Sequence, residues 1–255
     1  MEPIFYTFIS VTIVSLVSFA GVLTLSINEK RLKQMLFLLV SLSVGALLGD
    51  AFFHLIPESY EKIENSALVS FLIILGMLAF FIIERVLHWH HHESSQAELE
   101  EHENKIGHLG KLILVSDGLH NFLDGIIIGI SYLASTEIGI TTTIAIILHE
   151  IPQEIGDFGV LIHSGYGKKK ALFFNFLSAL SAFGGAILLL SFRSIPESFL
   201  NAMLPFTAGT FLYIASSDLV PELHKNSKGN LKNIIYELIG IGIGLFAMYM
   251  LLFLE

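Results

Sequence analysis

Two short stretches of this sequence concentrate groups that can hold a metal ion or carry protons. The first reads Asp117-Gly118-Leu119-His120-Asn121-Phe122-Leu123-Asp124-Gly125, the second His149-Glu150-Ile151-Pro152-Gln153-Glu154-Ile155-Gly156-Asp157. On a helix, residues three, four and seven apart share a face. Asp117, His120, Asn121 and Asp124 fit that spacing. In the second stretch, His149 and Gln153 lie four apart, and Glu150, Glu154 and Asp157 follow at four and seven. At about 100° per residue these five fall within an arc of roughly 140°, so all can face one neighbour. Imidazole with carboxylate suits zinc, iron(II) or manganese(II) better than copper(I), which prefers sulfur. The chain has no cysteine, which excludes a disulfide framework, a thiolate zinc site and thiol redox chemistry.

These stretches lie in an unusually apolar chain. Of 255 residues, 53% are hydrophobic and 15% charged, and the mean hydropathy is +0.71. A soluble domain carries about 25% charged residues. The composition also excludes a disordered chain. A formal net charge of -9 with no basic patch excludes a nucleic-acid binder. The chain therefore reads as an all-α polytopic membrane protein, a single transmembrane domain over 1–255. A span needs about 20 mostly apolar residues. Eight such segments run about 4–27, 34–57, 66–89, 109–133, 138–163, 170–193, 199–222 and 232–254. Their continuous apolar runs lack the alternation of a β-barrel strand, and their short connections suit a bundle of antiparallel helices. Met1-Glu2-Pro3 lacks the basic start of a signal peptide, so the first span is expected to be retained. Twelve of the fourteen basic residues fall in alternate connections, at Lys30, Arg31, Lys33, Arg85, Lys105, Lys111, Lys168–Lys170, Lys225, Lys228 and Lys232; Lys62 and Arg193 fall opposite. The basic side faces the cytosol, and eight spans then place both termini outside.

Polar residues inside such spans need a reason. The fourth and fifth spans hold five carboxylates, Asp117, Asp124, Glu150, Glu154 and Asp157. Their insertion cost totals on the order of 12–17 kcal/mol as an upper bound. Neither span offers a lysine or arginine at matching depth, so the counter-charge is imported as a divalent metal or as protons. One such residue in one helix would read as polar glue between helices. Two helices with histidine and carboxylates at ligand spacing read as a metal site. Pro152 also removes a backbone donor and frees the carbonyl of Leu148, which needs a partner such as a bound cation or water. In the second span, Asp50, His54 and Glu58 repeat at four-residue spacing, and the seventh carries Ser216, Ser217, Asp218 and Glu222. For these, a place on an ion pathway and a structural role weigh equally. Glu84 and His88 in the third span are assigned no role. Asn175, Ser178 and Ser181 in the sixth span, and Gly240 and Gly244 in the eighth, read as close helix packing.

The connection over 89–108 is the longest and too polar to fold alone. From the inner end of the third span to the start of the fourth come His88, His90, His91, His92, His102 and His108, six of the eleven histidines, together with several glutamates. Such tracts bind metal, with His90, His91, His92 and His102 the candidate ligands, or serve as solvated acidic linkers.

The stretches at 120–125 and 149–158 resemble the fourth- and fifth-helix signatures of the ZIP family of divalent metal transporters, in particular its histidine-rich subfamily. Asp50 to Glu58 and Phe211 to Glu222 are similar to the same subfamily, and the resemblance covers the whole chain. It implies a binuclear metal centre midway across the membrane: His120, Asp124, His149 and Gln153 would form the principal site, and Asn121 and Glu150 the adjacent one, with Asp124 as a bridge. Asp50, His54, Asp117, Glu154, Asp157 and Asp218 would form a pathway or secondary site. Gln153 departs from the second histidine usual in that subfamily, and its neutral amide is a weaker ligand. The resemblance further implies zinc or another divalent metal as transported substrate, import into the cytosol, a homodimer, and elevator-like motion of spans 1, 4, 5 and 6 against 2, 3, 7 and 8. A multi-pass protein of the plasma (inner) membrane, surrounded by lipid bilayer, is expected, and no enzyme. An intramembrane metalloprotease would need His-Glu-x-x-His, but Gln153 stands where the second histidine belongs. A proton-coupled carrier or channel, or a metal exporter, would use the same residues.

Overall fold

The computed structural model describes residues 2–25, 28–96, 102–192, 195–227 and 231–254. They form helices throughout. Helix α1 spans Glu2–Val17 and tightens into a 3-10 segment over Ser18–Leu25. α2 (Glu29–Gly49) passes through a π-helical segment, Asp50–Leu55, into α3 (Ile56–Lys62). α4 (Ser66–Gln96), α5 (His102–Ala134), α6 (Thr136–His163), α7 (Lys168–Ala179) and α8 (Ser181–Leu190) follow. α9 (Glu197–Tyr213) runs through a second π segment, Ile214–Leu219, into α10 (Val220–Ser227), and α11 covers Leu231–Leu251. Among the described residues, seven helical stretches are long and apolar enough to cross a membrane. α6 is also long enough at 28 residues, but it carries Glu137, Glu150, Glu154 and Asp157. It is thus the helix richest in candidate ligands that falls short on apolarity.

The fold has two groups of helices. α1, α5, α6, α7 and α8 pack on one another; α2, α11, α4 and α9 pack as two close pairs, α2 with α11 and α4 with α9, and α2 crosses α6 between the groups. Backbones meet at glycines in these crossings. A Cβ on Gly125 would strike the Ala182 carbonyl, and one on Gly185 the Phe122 carbonyl, where α5 meets α8. Gly76 and Gly209 stand likewise against Phe206 and Ile73 where α4 meets α9, and Gly45 and Gly244 hold α2 against α11. Small residues are the means of helix association where lipid is as apolar as the helix surface. Gly244 fits the packing read from sequence. The outward faces carry Phe71, Ile74, Ile82, Leu238, Ile239 and Phe246, all exposed, as a lipid-facing surface requires.

Both π segments precede a proline at the same distance. Pro57 and Pro221 cannot donate to the carbonyls four residues back. The Ile56 N–H reaches back to the Ala51 carbonyl, and the Val220 N–H to the Ala215 carbonyl, in five-residue bonds. The wider turn redistributes side chains. Asp50 and His54, expected on one face, meet different helices: the Thr142 hydroxyl of α6 donates to Asp50 Oδ2 at 3.1 Å, and His54 Nε2 pairs with the Met248 carbonyl of α11 at 3.0 Å.

α4 and α5 are long, at 31 and 33 residues. At 1.5 Å per residue they extend roughly 46–50 Å, beyond the ~30 Å hydrocarbon core. The polar connection read over 89–108 therefore includes helical backbone to Gln96 and from His102. Residues 97–101, and the side chains of His90, His91, His92 and His102, lie outside the described residues.

Gly209→Ala should lower the thermal unfolding midpoint in detergent by several degrees, since the new methyl meets backbone and overpacking costs about 1–3 kcal/mol. Gly242→Ala, with no atom within 4 Å of the added Cβ, should leave the midpoint unchanged.

Candidate metal centre

α5 and α6 are joined through Ser135 alone, whose side chain accepts from the Ile138 N–H at 3.1 Å and caps α6. So tight a turn sets the two helices antiparallel and in register. His120 precedes Ser135 by 15 residues and His149 follows it by 14, so both lie roughly 21–23 Å from the turn. The facing sets read from sequence therefore meet.

His120 Nε2 stands 3.2 Å from His149 Nε2, 3.4 Å from Glu150 Oε1 and 3.8 Å from Asp124 Oδ2. His149 Nε2 stands 3.5 Å from both Asp124 Oδ2 and Glu150 Oε1. Around a tetrahedral zinc with bonds of about 2.0–2.2 Å, ligand atoms lie about 3.3–3.6 Å apart. Five edges of this quartet thus run from 3.2 to 3.8 Å. His149 Nδ1 lies 3.2 Å from its own-helix carbonyl at Ala145. That pairing assigns the proton to Nδ1 and turns the Nε2 lone pair inward, as a metal-binding histidine requires. Both oxygens of Asp124 and of Glu150 are buried and accept no hydrogen bond. Buried carboxylates are ordinarily paired or bound to a metal.

Glu150 also belongs to a second group. One oxygen each of Asp117, Glu150 and Glu154 fall within 4.8 Å of one another, and all three residues are buried. Asn121 Nδ2 donates to Asp117 Oδ1 at 2.9 Å, the Ser178 hydroxyl donates to Asp117 Oδ2 at 2.5 Å, and Asn175 Nδ2 donates to Glu154 Oε2 at 2.5 Å. The grouping differs from the expected one. Glu150 sits with both histidines and is the member shared by the two groups, where Asp124 was expected to bridge. Asn121 serves Asp117. Asn175 and Ser178, read from sequence as packing residues, donate to the second group, and the Ser181 hydroxyl donates to the Gly118 carbonyl at 2.5 Å. Their three-residue spacing was the available signal: it sets three polar side chains on one face of the sixth span.

A cavity of about 380 Å³ opens beside the quartet, lined by His120, Asp117, Gln153, Asp157, Asp218 and Phe80 among others. His120 is the quartet's exposed member, with 16% of its side chain accessible against 1% for His149 and 0% for Asp124 and Glu150. Gln153 therefore faces the cavity together with Asp157 and Asp218. Asp50 and His54 stand apart from both groups, held by α6 and α11 as described.

Fold and site together define a polytopic membrane protein with buried nitrogen and oxygen ligands between two helices. The chain belongs to the ZIP zinc transporter family, whose family model matches residues 1–111 and 89–252. It is 31% identical to zinc transporter zipt-7.2 of Caenorhabditis elegans over 89% of this chain and 60% of that protein. It is 32% identical to metal cation symporter ZIP14 of Xenopus tropicalis over 88% of this chain and 62% of the relative. With zinc transporter YKE4 of Saccharomyces cerevisiae it shares 32% identity over 78% of this chain and 64% of the relative. The chain thus spans about three-fifths of the length of these curated relatives.

Glu150→Gln should unfold no earlier than the wild type without metal, because it removes a buried charge that accepts no hydrogen bond. Zinc at 100 times its Kd should stabilise the wild type by about 2.7 kcal/mol, and the substitution should cut the zinc-induced rise in unfolding temperature by more than half. Thermal unfolding with and without zinc checks both.

Proposed function

We propose that this chain carries divalent metal cations, zinc foremost, across the membrane and into the cytosol. One observation carries the proposal: four ligand atoms from α5 and α6, three of them on buried residues, stand with five of their separations at 3.2–3.8 Å, close to the spacing of a tetrahedral zinc, and the two carboxylates accept no hydrogen bond. Membership of the family, with relatives named as zinc transporters, supports zinc as substrate. His120, Asp124, His149 and Glu150 take up the cation after it sheds water. Carboxylates offset its charge and imidazoles fix its position. Asp117, Glu154 and the shared Glu150 form the adjoining all-oxygen group, the second half of a binuclear centre, with Asn121 donating to Asp117 and Gln153 beside it on the cavity wall.

Eight spans with both termini outside fit the placement of basic residues. The cavity is lined by Ile83, Ile113, Ser116 and Asp157, on the side of the site toward the ends of α4, α5 and α6 that lead to the connections assigned to the cytosol. On that topology the site faces the cytosol here, and Asp157 and Asp218 line the way out. Asp50, beside Thr142 on α6, lies on the opposite side and belongs to the entry route. Relative motion of the two helix groups supplies alternating access. The protein resides in the plasma (inner) membrane as a homodimer, and the histidines over 89–108 receive released metal.

Purified protein in liposomes loaded with a zinc-sensitive dye tests this reading. Saturable zinc influx is expected, falling to less than about a tenth in His149→Ala, since a lost buried ligand removes a charge-assisted contact. Undiminished influx in His149→Ala would remove the quartet from the transport route.

A further inference from the structure

We infer that Ser43 is a positioning residue for the metal centre: its hydroxyl replaces the backbone hydrogen bond that Pro152 deletes, and fixes the turn of α6 that carries His149 and Glu150. The inference rests on the metal-transport reading above. Pro152 has no N–H, so the Leu148 carbonyl loses its helical donor. Leu148 immediately precedes His149, so its peptide belongs to the ligand-bearing turn. A carbonyl inside a membrane protein has to be paired. From sequence alone a cation or a water was expected to pair it. Instead Ser43 Oγ of α2 lies 2.6 Å from the Leu148 oxygen. The same hydroxyl lies 2.8 Å from Leu39 O in its own helix. A hydroxyl has one proton for two acceptors. Leu39 O is the ordinary helical acceptor of the residue 43 N–H, whereas Leu148 O has no such donor, so the proton counts for more at Leu148.

Ser43 is fully buried, where a valine or alanine would satisfy packing but leave Leu148 O unmatched. The bond also joins the two helix groups, because α2 and α6 lie on either side of their boundary. Asp50, seven residues after Ser43, accepts from Thr142, seven before His149. α2 is thus tied to α6 at the ligands, and the π segment that continues α2 is tied to α6 again two turns away. Only the bond at the ligands compensates a missing backbone donor, so only its loss is reversible by restoring that donor. An alanine at 152 would return an N–H to Leu148 O, and the hydroxyl of Ser43 would become redundant.

The test compares wild type, Ser43→Ala, Ser43→Thr, Pro152→Ala and the Pro152→Ala/Ser43→Ala double variant. Zinc dissociation constants are measured by calorimetry in detergent, and KM and kcat for zinc influx in liposomes. Ser43→Ala should weaken zinc binding and raise KM by about tenfold, with kcat less affected, as for a buried acceptor left unpaired beside the ligands. Ser43→Thr, which keeps the hydroxyl, should stay within about threefold of the wild type. In the Pro152→Ala background, Ser43→Ala should change the dissociation constant by less than about twofold, whatever Pro152→Ala does alone. An unchanged dissociation constant in Ser43→Ala, or an equal loss with and without Pro152, overturns the inference. A wild type that binds zinc but moves none overturns the transport reading, while the binding comparison still decides the role of Ser43.

Discussion

Everything in this protein follows from two carboxylates buried in a membrane helix pair without a hydrogen bond. Asp124 and Glu150 are inaccessible and face two imidazoles. Burying an unpaired carboxylate costs several kcal/mol, so a bundle that keeps two has to neutralise them, with protons or with a bound cation. The rest of the architecture holds that arrangement. The one-residue turn at Ser135 sets α5 and α6 in register, and glycines bring α8 against α5. α7 then presents Asn175 and Ser178 to the second acidic group. The hydrogen bonds absent from Asp124 and Glu150 are present on Asp117 and Glu154, which gives the two groups different characters. The first is left open to a metal with nitrogen and oxygen ligands; the second is all oxygen and already partly satisfied.

At Pro57 and Pro221 the chain widens into π turns just ahead of the proline, with five-residue bonds inside the helix from Ile56 to Ala51 and from Val220 to Ala215. At Pro152 the repair comes from another helix through Ser43. Of the three, Pro152 lies among the ligands. A repair made across the boundary between two helix groups couples the geometry of the site to their relative position, which a repair within one helix would not do.

Much of this was legible in the sequence. The spans, the faces of 117–124 and 149–157, and the absence of a matching lysine or arginine required only helical periodicity and the cost of charge in lipid. Partnership across helices was not legible. Asn175, Ser178 and Ser181 had the right spacing, but the residues they would face depend on how α7 and α8 pack on α5 and α6. Asp50 and His54 were read on one α-helical face, and the π turn sends them to α6 and α11. The shared role of Glu150 depends on depth along two antiparallel helices, which is fixed by the length of the turn between them. That turn had been placed near residues 134–137, and a shift of one or two residues there alters which side chains lie level.

The proposed transport rests on a divalent metal binding between α5 and α6 through two imidazoles and two carboxylates. X-ray absorption at the zinc edge, on protein loaded with one equivalent of zinc, tests it most directly. Four nitrogen or oxygen ligands at about 2.0–2.2 Å are expected, two of them imidazoles, with one imidazole lost in His120→Ala. A shell without histidine, or a histidine count unchanged in both His120→Ala and His149→Ala, would contradict it.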